Sequence, residues 1–117
     1  MKTRVNLLMR KRNMKNILIL CQNTGQTFAF KRTLLSHTWL DDKMVNFFFE
    51  DQNHYLEVLS NQSIDLVLIS PEVLLYEKQI VGSLKNNKIQ YIHIKPIDYG
   101  LRRVEKIFDT IAKIISF

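Results

Sequence analysis

The chain has a single cysteine, Cys21, and it stands between an apolar run, Ile17 to Leu20, and the polar stretch Gln22-Asn23-Thr24-Gly25-Gln26-Thr27. Four consecutive aliphatic residues suit an inner strand of a parallel sheet. The polar stretch and Gly25 then lead into a helical pattern. A strand, loop and helix in this order aim backbone N–H groups and the positive end of a helix dipole at whatever sits on Cys21. The sequence therefore predicts an acidic, nucleophilic thiol and a stabilised phosphoryl group if one is attached there. The competing reading is that Cys21 is a small apolar core residue. The polar, glycine-containing loop favours chemistry.

The loop's residue types discriminate among chemistries. Phosphatases of the small α/β type need an arginine six residues after the cysteine, to grip the transferring phosphoryl group bidentately. That position is Thr27, and Gln22 to Thr27 contain no arginine. This excludes such hydrolysis and counts equally against arsenate reduction. A receiver domain needs a phosphoacceptor aspartate after the third strand, where Ile69-Ser70 stands. Thr24-Gly25-Gln26-Thr27 is similar to the Thr-Gly-x-Thr loop by which flavodoxins hold the FMN phosphate. The match is four residues long, and the chain offers four strands where flavodoxins use five.

Four strand-then-helix units position these residues. The first strand is expected at Asn16 to Cys21 and its helix at Gly25 to Trp39, with Phe28, Phe30, Leu34 and Leu35 on the buried side. Asp41, Asp42 and Lys43 make a polar connection to a second strand at Met44 to Glu50, favoured by Phe47, Phe48 and Phe49. Asp51 would cap a short helix carrying Tyr55, Leu56, Val58 and Leu59 and ended by Asn61. The third strand is Asp65 to Ile69. Ser70-Pro71 then gives an N-cap and a first-turn proline for a helix carrying Val73, Leu74, Ile80, Val81 and Leu84. The fourth strand, Ile89 to Ile94, stops at Pro96. Asp98-Tyr99-Gly100 reads as a turn into a last amphipathic helix bearing Leu101, Val104, Ile107, Phe108, Ile111, Ile114 and Ile115.

Alternating strands and helices imply an α/β three-layer sandwich with a four-stranded parallel sheet. The continuous apolar strands, first and third, belong inside, and the more amphipathic second and fourth at the edges. The order is then 2-1-3-4, the architecture of flavodoxin-like and low-molecular-weight-phosphatase-like domains, with ligands beyond the C-terminal strand ends at the switch between strands one and three. Cys21, Ser70-Pro71 and Asp98-Tyr99-Gly100 share that end.

The 117 residues suit one domain. The net charge of +6 is uneven: Lys2, Arg4, Arg10, Lys11, Arg12 and Lys15 fall in the first fifteen residues, and residues 16–117 carry 11 bases and 11 acids. Basicity thus belongs to an N-terminal extension, 1–14, expected to be solvated rather than a nucleic-acid or membrane-surface arm. No nucleic-acid partner is expected. The apolar run before Cys21 is too short for a signal sequence, and no stretch reaches the roughly 18 apolar residues of a membrane span. One cysteine permits no internal disulfide. A cytoplasmic chain is the expectation.

From about Lys15 to the C-terminus the sequence resembles the enzyme IIB subunits of the lactose/cellobiose branch of the sugar phosphotransferase system. The resemblance lies in Cys21 at the end of strand one, in Asp65-Leu66-Val67-Leu68-Ile69-Ser70-Pro71-Glu72-Val73, in Ile94-Lys95-Pro96-Ile97-Asp98-Tyr99-Gly100, and in Val104-Glu105-Lys106-Ile107. It implies a phosphotransferase, the IIB component. A phosphohistidine on an enzyme IIA would load Cys21, and the phosphocysteine would pass the group to a sugar held by a membrane enzyme IIC, with peripheral association to that transporter. Gln22, Asn23, Thr24, Gly25, Gln26 and Thr27 would form the phosphate loop, and Ser70, Pro71, Glu72, Asp98, Tyr99 and Gly100 the site rim. No cofactor and no metal are called for. The family loop commonly reads Cys-x-x-Gly-Met-Ser-Thr-Ser; here the glycine is displaced by one and the serines are missing, and Glu72 stands where glutamine is usual. Two alternatives stay open: a diverged, non-catalytic regulatory or adaptor domain of the same fold, and a small FMN-binding protein.

Other residues are given bland roles. His37, His54 and His93 lie in different units without ligand spacing. Met44 and the phenylalanine cluster read as core, Trp39 as cover for the end of the first helix, and Arg102 and Arg103 as a solvated helix face.

Overall fold

A computed structural model describes residues 14–116. All but the last residue of the 1–14 extension lies outside the described residues. The elements are β1 (Lys15–Leu20), α1 (Gly25–Leu35), β2 (Val45–Glu50), α2 (Tyr55–Asn61), β3 (Leu66–Ile69), α3 (Glu77–Asn86), β4 (Tyr91–His93), α4 (Pro96–Gly100) and α5 (Val104–Ile114), with 3₁₀ segments at Thr38–Asp42 and Pro71–Tyr76. The strands form one parallel sheet in the order β2-β1-β3-β4. Ile17 pairs with Phe47 on one side and Leu66 on the other, and Val67 with Tyr91.

Strand periodicity sends alternate side chains to opposite faces. Ile17, Ile19, Leu66 and Leu68 pack with Phe30 and Leu34 of α1 and with Val104, Ile107, Phe108 and Ile111 of α5. Leu18, Leu20, Val67 and Ile69 pack with Tyr55, Val73, Ile80 and Leu84. Both layers exist because β1 from Ile17 to Leu20 and all of β3 are apolar and buried, so the helices cover both faces of the sheet. Among the described residues no helix is long and apolar enough to cross a membrane.

Several boundaries differ from the sequence expectation. Helix α1 stops at Leu35, four residues short of Trp39. Ser36 Oγ donates to Arg32 O at 2.8 Å, and His37 Nδ1 accepts from Trp39 N at 3.0 Å. These side chains compete with the helical ladder and start a 3₁₀ turn. The buried face of α1 is Thr27, Phe30 and Leu34, spaced three and four apart. Phe28 and Leu35 are one position off that stripe and face solvent. Trp39 stacks flat on Phe108, rings 4.4 Å apart, and Met44 is exposed rather than core.

Asp51 caps the turn ahead of α2 rather than the helix itself: its Oδ1 accepts from Asn53 N at 2.9 Å and His54 N at 3.0 Å, while α2 begins at Tyr55 with His54 as its N-cap. Ser70 also caps as anticipated, Oγ accepting from Glu72 N at 3.2 Å with Pro71 in the first turn, but the segment stays 3₁₀ and kinks at Val73 before α3 begins. Strand β4 is shorter than Ile89 to Ile94. Asp98-Tyr99-Gly100 is no turn: Pro96 opens a short helix in which Tyr99 N donates to Lys95 O at 3.0 Å. The break comes at Arg102, whose φ of 52° lies in the left-handed region, so α5 starts at Val104 rather than Leu101.

Leu68 is fully buried between two strands and Leu75 is 93% exposed. Leu68→Ala is expected to cost about 2–5 kcal/mol of unfolding free energy and Leu75→Ala less than about 0.5, read from urea denaturation.

Candidate functional site

Cys21 directly follows β1 and continues its pairing, its N–H donating to Glu50 O at 3.0 Å. Ser70 stands correspondingly after β3, donating to Leu20 O at 3.0 Å. The two strand ends are therefore locked side by side at the switch between β1 and β3, which brings the Cys21 loop against the Ser70-Pro71-Glu72 segment. The Cys21 thiol is 4% exposed and donates to Ile19 O, with Sγ 3.7 Å away.

The loop opens α1 through Thr24, whose Oγ1 accepts from Thr27 N at 3.1 Å. Gln22 N donates to Glu72 Oε1 at 2.9 Å. The Thr24 hydroxyl donates to Glu72 Oε2 and the Thr27 hydroxyl to Glu72 Oε1. Tyr99 Oη bonds Thr27 Oγ1 and lies 3.4 Å from Glu72 Oε1. Glu72 is thus the hub of the loop's hydrogen bonds. The hydroxyls that an FMN phosphate would use point at this carboxylate. The N–H groups of Asn23, Gly25 and Gln26 take no acceptor among the described residues and remain available to an anion.

A cleft of about 430 Å³ opens beside Cys21, walled by Gln22, Asn23, Thr27, Phe28, Lys31, Phe49, Glu50, Asp51 and His54. Lys31 Nζ sits 4.8 Å from the centre of the Phe49 ring. Sequence reasoning missed Lys31, although its place four residues after Thr27 on one helix face was a usable signal. Phe49 serves as cleft wall as well as core edge. His54 Nδ1 lies 2.8 Å from Asp51 Oδ1, and that hydrogen bond raises the imidazole pKa. Glu50, Asp51 and His54, the first two half-buried and the histidine exposed, hold ligand-type atoms within 4.8 Å of one another on this rim, a grouping that the histidine spacing did not reveal. His37 and His93 are elsewhere, beside Glu105 and Glu77.

The rim residues separate. Glu72 and Tyr99 bond the loop, Ser70 and Pro71 hold the backbone that carries Glu72, and a Cβ on Gly100 would lie 3.3 Å from Gln26 Nε2, so Gly100 adjoins the loop too. Asp98 does not line the Cys21 cleft. It is buried toward a second depression with Lys95 and Lys106, 3.8 Å from Arg103.

The acidic thiol expected from the loop is not what the structure shows. Burial, and after it the Glu72 carboxylate, push the Cys21 pKa up to about 12, against the Thr27 hydrogen bond and Lys31. Burial likewise raises the Tyr99 phenol. The site at rest is a protonated thiol beside an anion-accepting loop.

No family model and no curated protein matches the sequence. Among solved structures the chain is similar to the lactose-specific IIB component domain of the phosphoenolpyruvate:carbohydrate phosphotransferase system from Streptococcus pneumoniae. The TM-score is 0.69 at 14% identity, over 88% of this chain and 99% of that one. At that identity the likeness establishes the fold.

Cys21 is the only thiol, so alkylation reports it alone. Its thiolate fraction, and hence the iodoacetamide rate, is expected to climb about tenfold per pH unit from pH 7 to 10 without levelling, whereas an ordinary thiol levels above about pH 8.5. Stopped-time mass spectrometry checks this.

Proposed function

We propose that this chain is a IIB-type phosphocarrier of a sugar phosphotransferase system, working in the cytoplasm between an enzyme IIA and a membrane enzyme IIC. The observation that carries the reading is Cys21 at the C-terminal end of an inner strand, opening on a cleft with Lys31 and beside the uncommitted N–H groups of Asn23, Gly25 and Gln26. The IIB-like fold supports it.

In this reading the phosphohistidine N–P bond breaks as the S–P bond to Cys21 forms, and the thiol proton passes to the departing imidazole nitrogen. The thiol's raised pKa makes that proton movement part of the transfer rather than a step before it. Loop N–H groups and the Lys31 ammonium would hold the charge on the transferring oxygens. The S–P bond then breaks as a sugar hydroxyl takes the phosphoryl group, and the sugar's proton returns to sulfur. No guanidinium is needed, since a carrier has to keep its cargo from water.

A second reading, a regulatory or adaptor domain without transfer, is favoured by one observation: Glu72 already accepts the loop's hydroxyls. Labelling separates the two. With radiolabelled phosphoenolpyruvate, the general phosphotransferase proteins and a matching enzyme IIA, the carrier takes up label, and Cys21→Ser abolishes it. Lys31→Ala is expected to slow loading by roughly ten- to a hundredfold. A folded chain that takes no label, or label that survives Cys21→Ser, overturns the carrier.

A further inference from the structure

Glu72 receives an unusual share of the site's donors. Gln22 N–H and the hydroxyls of Thr24 and Thr27 converge on its carboxylate, and the Tyr99 hydroxyl, 3.4 Å from it, backs the Thr27 oxygen. They come from the β1–α1 loop, the first turn of α1, and α4. The carboxylate is held in place from its own side as well, because Ser70 caps the Glu72 N–H and Pro71 fixes the backbone before it. Carboxylate and phosphoryl oxygens ask for the same partners, N–H and O–H groups aimed at negative charge. A phosphoryl group on Cys21 would need donors that Glu72 already holds, and two anions cannot share them without strong repulsion.

Resting on the carrier reading above, we propose that Glu72 is an internal anion that keeps the phosphoryl cradle closed. Free inorganic phosphate is kept from the Gln22, Thr24 and Thr27 donors, and a phosphoryl group on sulfur gains them, beside the N–H groups of Asn23, Gly25 and Gln26, only as the Glu72 side chain swings out. The charged groups acting on the thiol fit this arrangement: Glu72 and Glu50 disfavour a second negative charge and Lys31 favours it, while Asp51 and His54, bonded to each other, stand on the outer wall of the same cleft.

The test is Cys21 alkylation by iodoacetamide at pH 8, with and without millimolar inorganic phosphate, on the full chain and on Glu72→Gln and Glu72→Ala, their folds verified by circular dichroism. The wild-type rate is expected to ignore phosphate. Both variants are expected to react faster, by about tenfold, the change that one pKa unit makes in thiolate. Phosphate should then slow them by at least about threefold as it enters the vacated cradle. Variants that react no faster and ignore phosphate overturn the proposal, and so does phosphate protection of the wild type. If both variants lose their fold, Glu72→Asp keeps the charge but draws it one methylene back from the loop hydroxyls; a phosphate-sensitive thiol supports the proposal and a thiol that ignores phosphate overturns it. Labelling from enzyme IIA is scored separately. Wild-type labelling with unchanged alkylation sinks the closed cradle and spares the carrier, whereas the expected alkylation without any labelling does the reverse.

Discussion

The site depends on one carboxylate. Glu72 ties the β1–α1 loop to the segment after β3 and to α4, three pieces that the sheet alone brings close but does not join. Withdrawing a carboxylate from water costs several kcal/mol when no partner replaces the solvent. Hydrogen bonds to a charged acceptor contribute roughly 1.5–3 kcal/mol each, so those from Gln22, Thr24 and Thr27 are of the right size to offset that cost. The same bonds fix the hydroxyl rotors of Thr24 and Thr27 toward Glu72. The shape of the loop at rest is therefore set by an anion belonging to the protein, and any incoming anion has to compete with it.

That contest explains why the thiol departs from its sequence-based expectation. A helix N-terminus offers a nearby anion about 0.3–1 kcal/mol, less than one pKa unit. Burial can move an ionisable group by several units in the opposite direction. Cys21 is 4% exposed and faces Glu72 and Glu50, so the larger effect prevails and the neutral thiol is favoured. Sequence located the thiol correctly at the strand end. It could not weigh these terms, because depth of burial and the approach of Glu72, fifty-one positions away, are tertiary facts.

The rest of the fold was legible to the extent that its signals were periodic. The unbroken apolar runs at Ile17 to Leu20 and Leu66 to Ile69 marked inner strands, and that asymmetry was enough to order the sheet. Ser70-Pro71 marked a helical start because a hydroxyl cap and a proline ring act locally. Where one local preference met another, boundaries slipped. Ser36 and His37 ended α1 early through their own side-chain bonds, and Pro96 wound Asp98-Tyr99-Gly100 into a helical turn that composition had suggested would be loose. That winding buries Tyr99 against Phe30, ring centres 4.5 Å apart, and so delivers its hydroxyl to Thr27. It also turns Asp98 away toward Arg103, which is why two adjacent residues expected on one rim have different surroundings.

Lys31 and Glu72 act on Cys21 with opposite signs. Lys31 lines the cleft over Phe49, and Glu72 lies outside that lining, among the loop hydroxyls. An anion approaching Cys21 from solvent would feel the ammonium before it reached the carboxylate, and Coulomb interactions strengthen as water is excluded from the cleft. Excluding water from the cleft would therefore strengthen both influences on the sulfur together, the attraction of Lys31 for an anion there and the repulsion from Glu72.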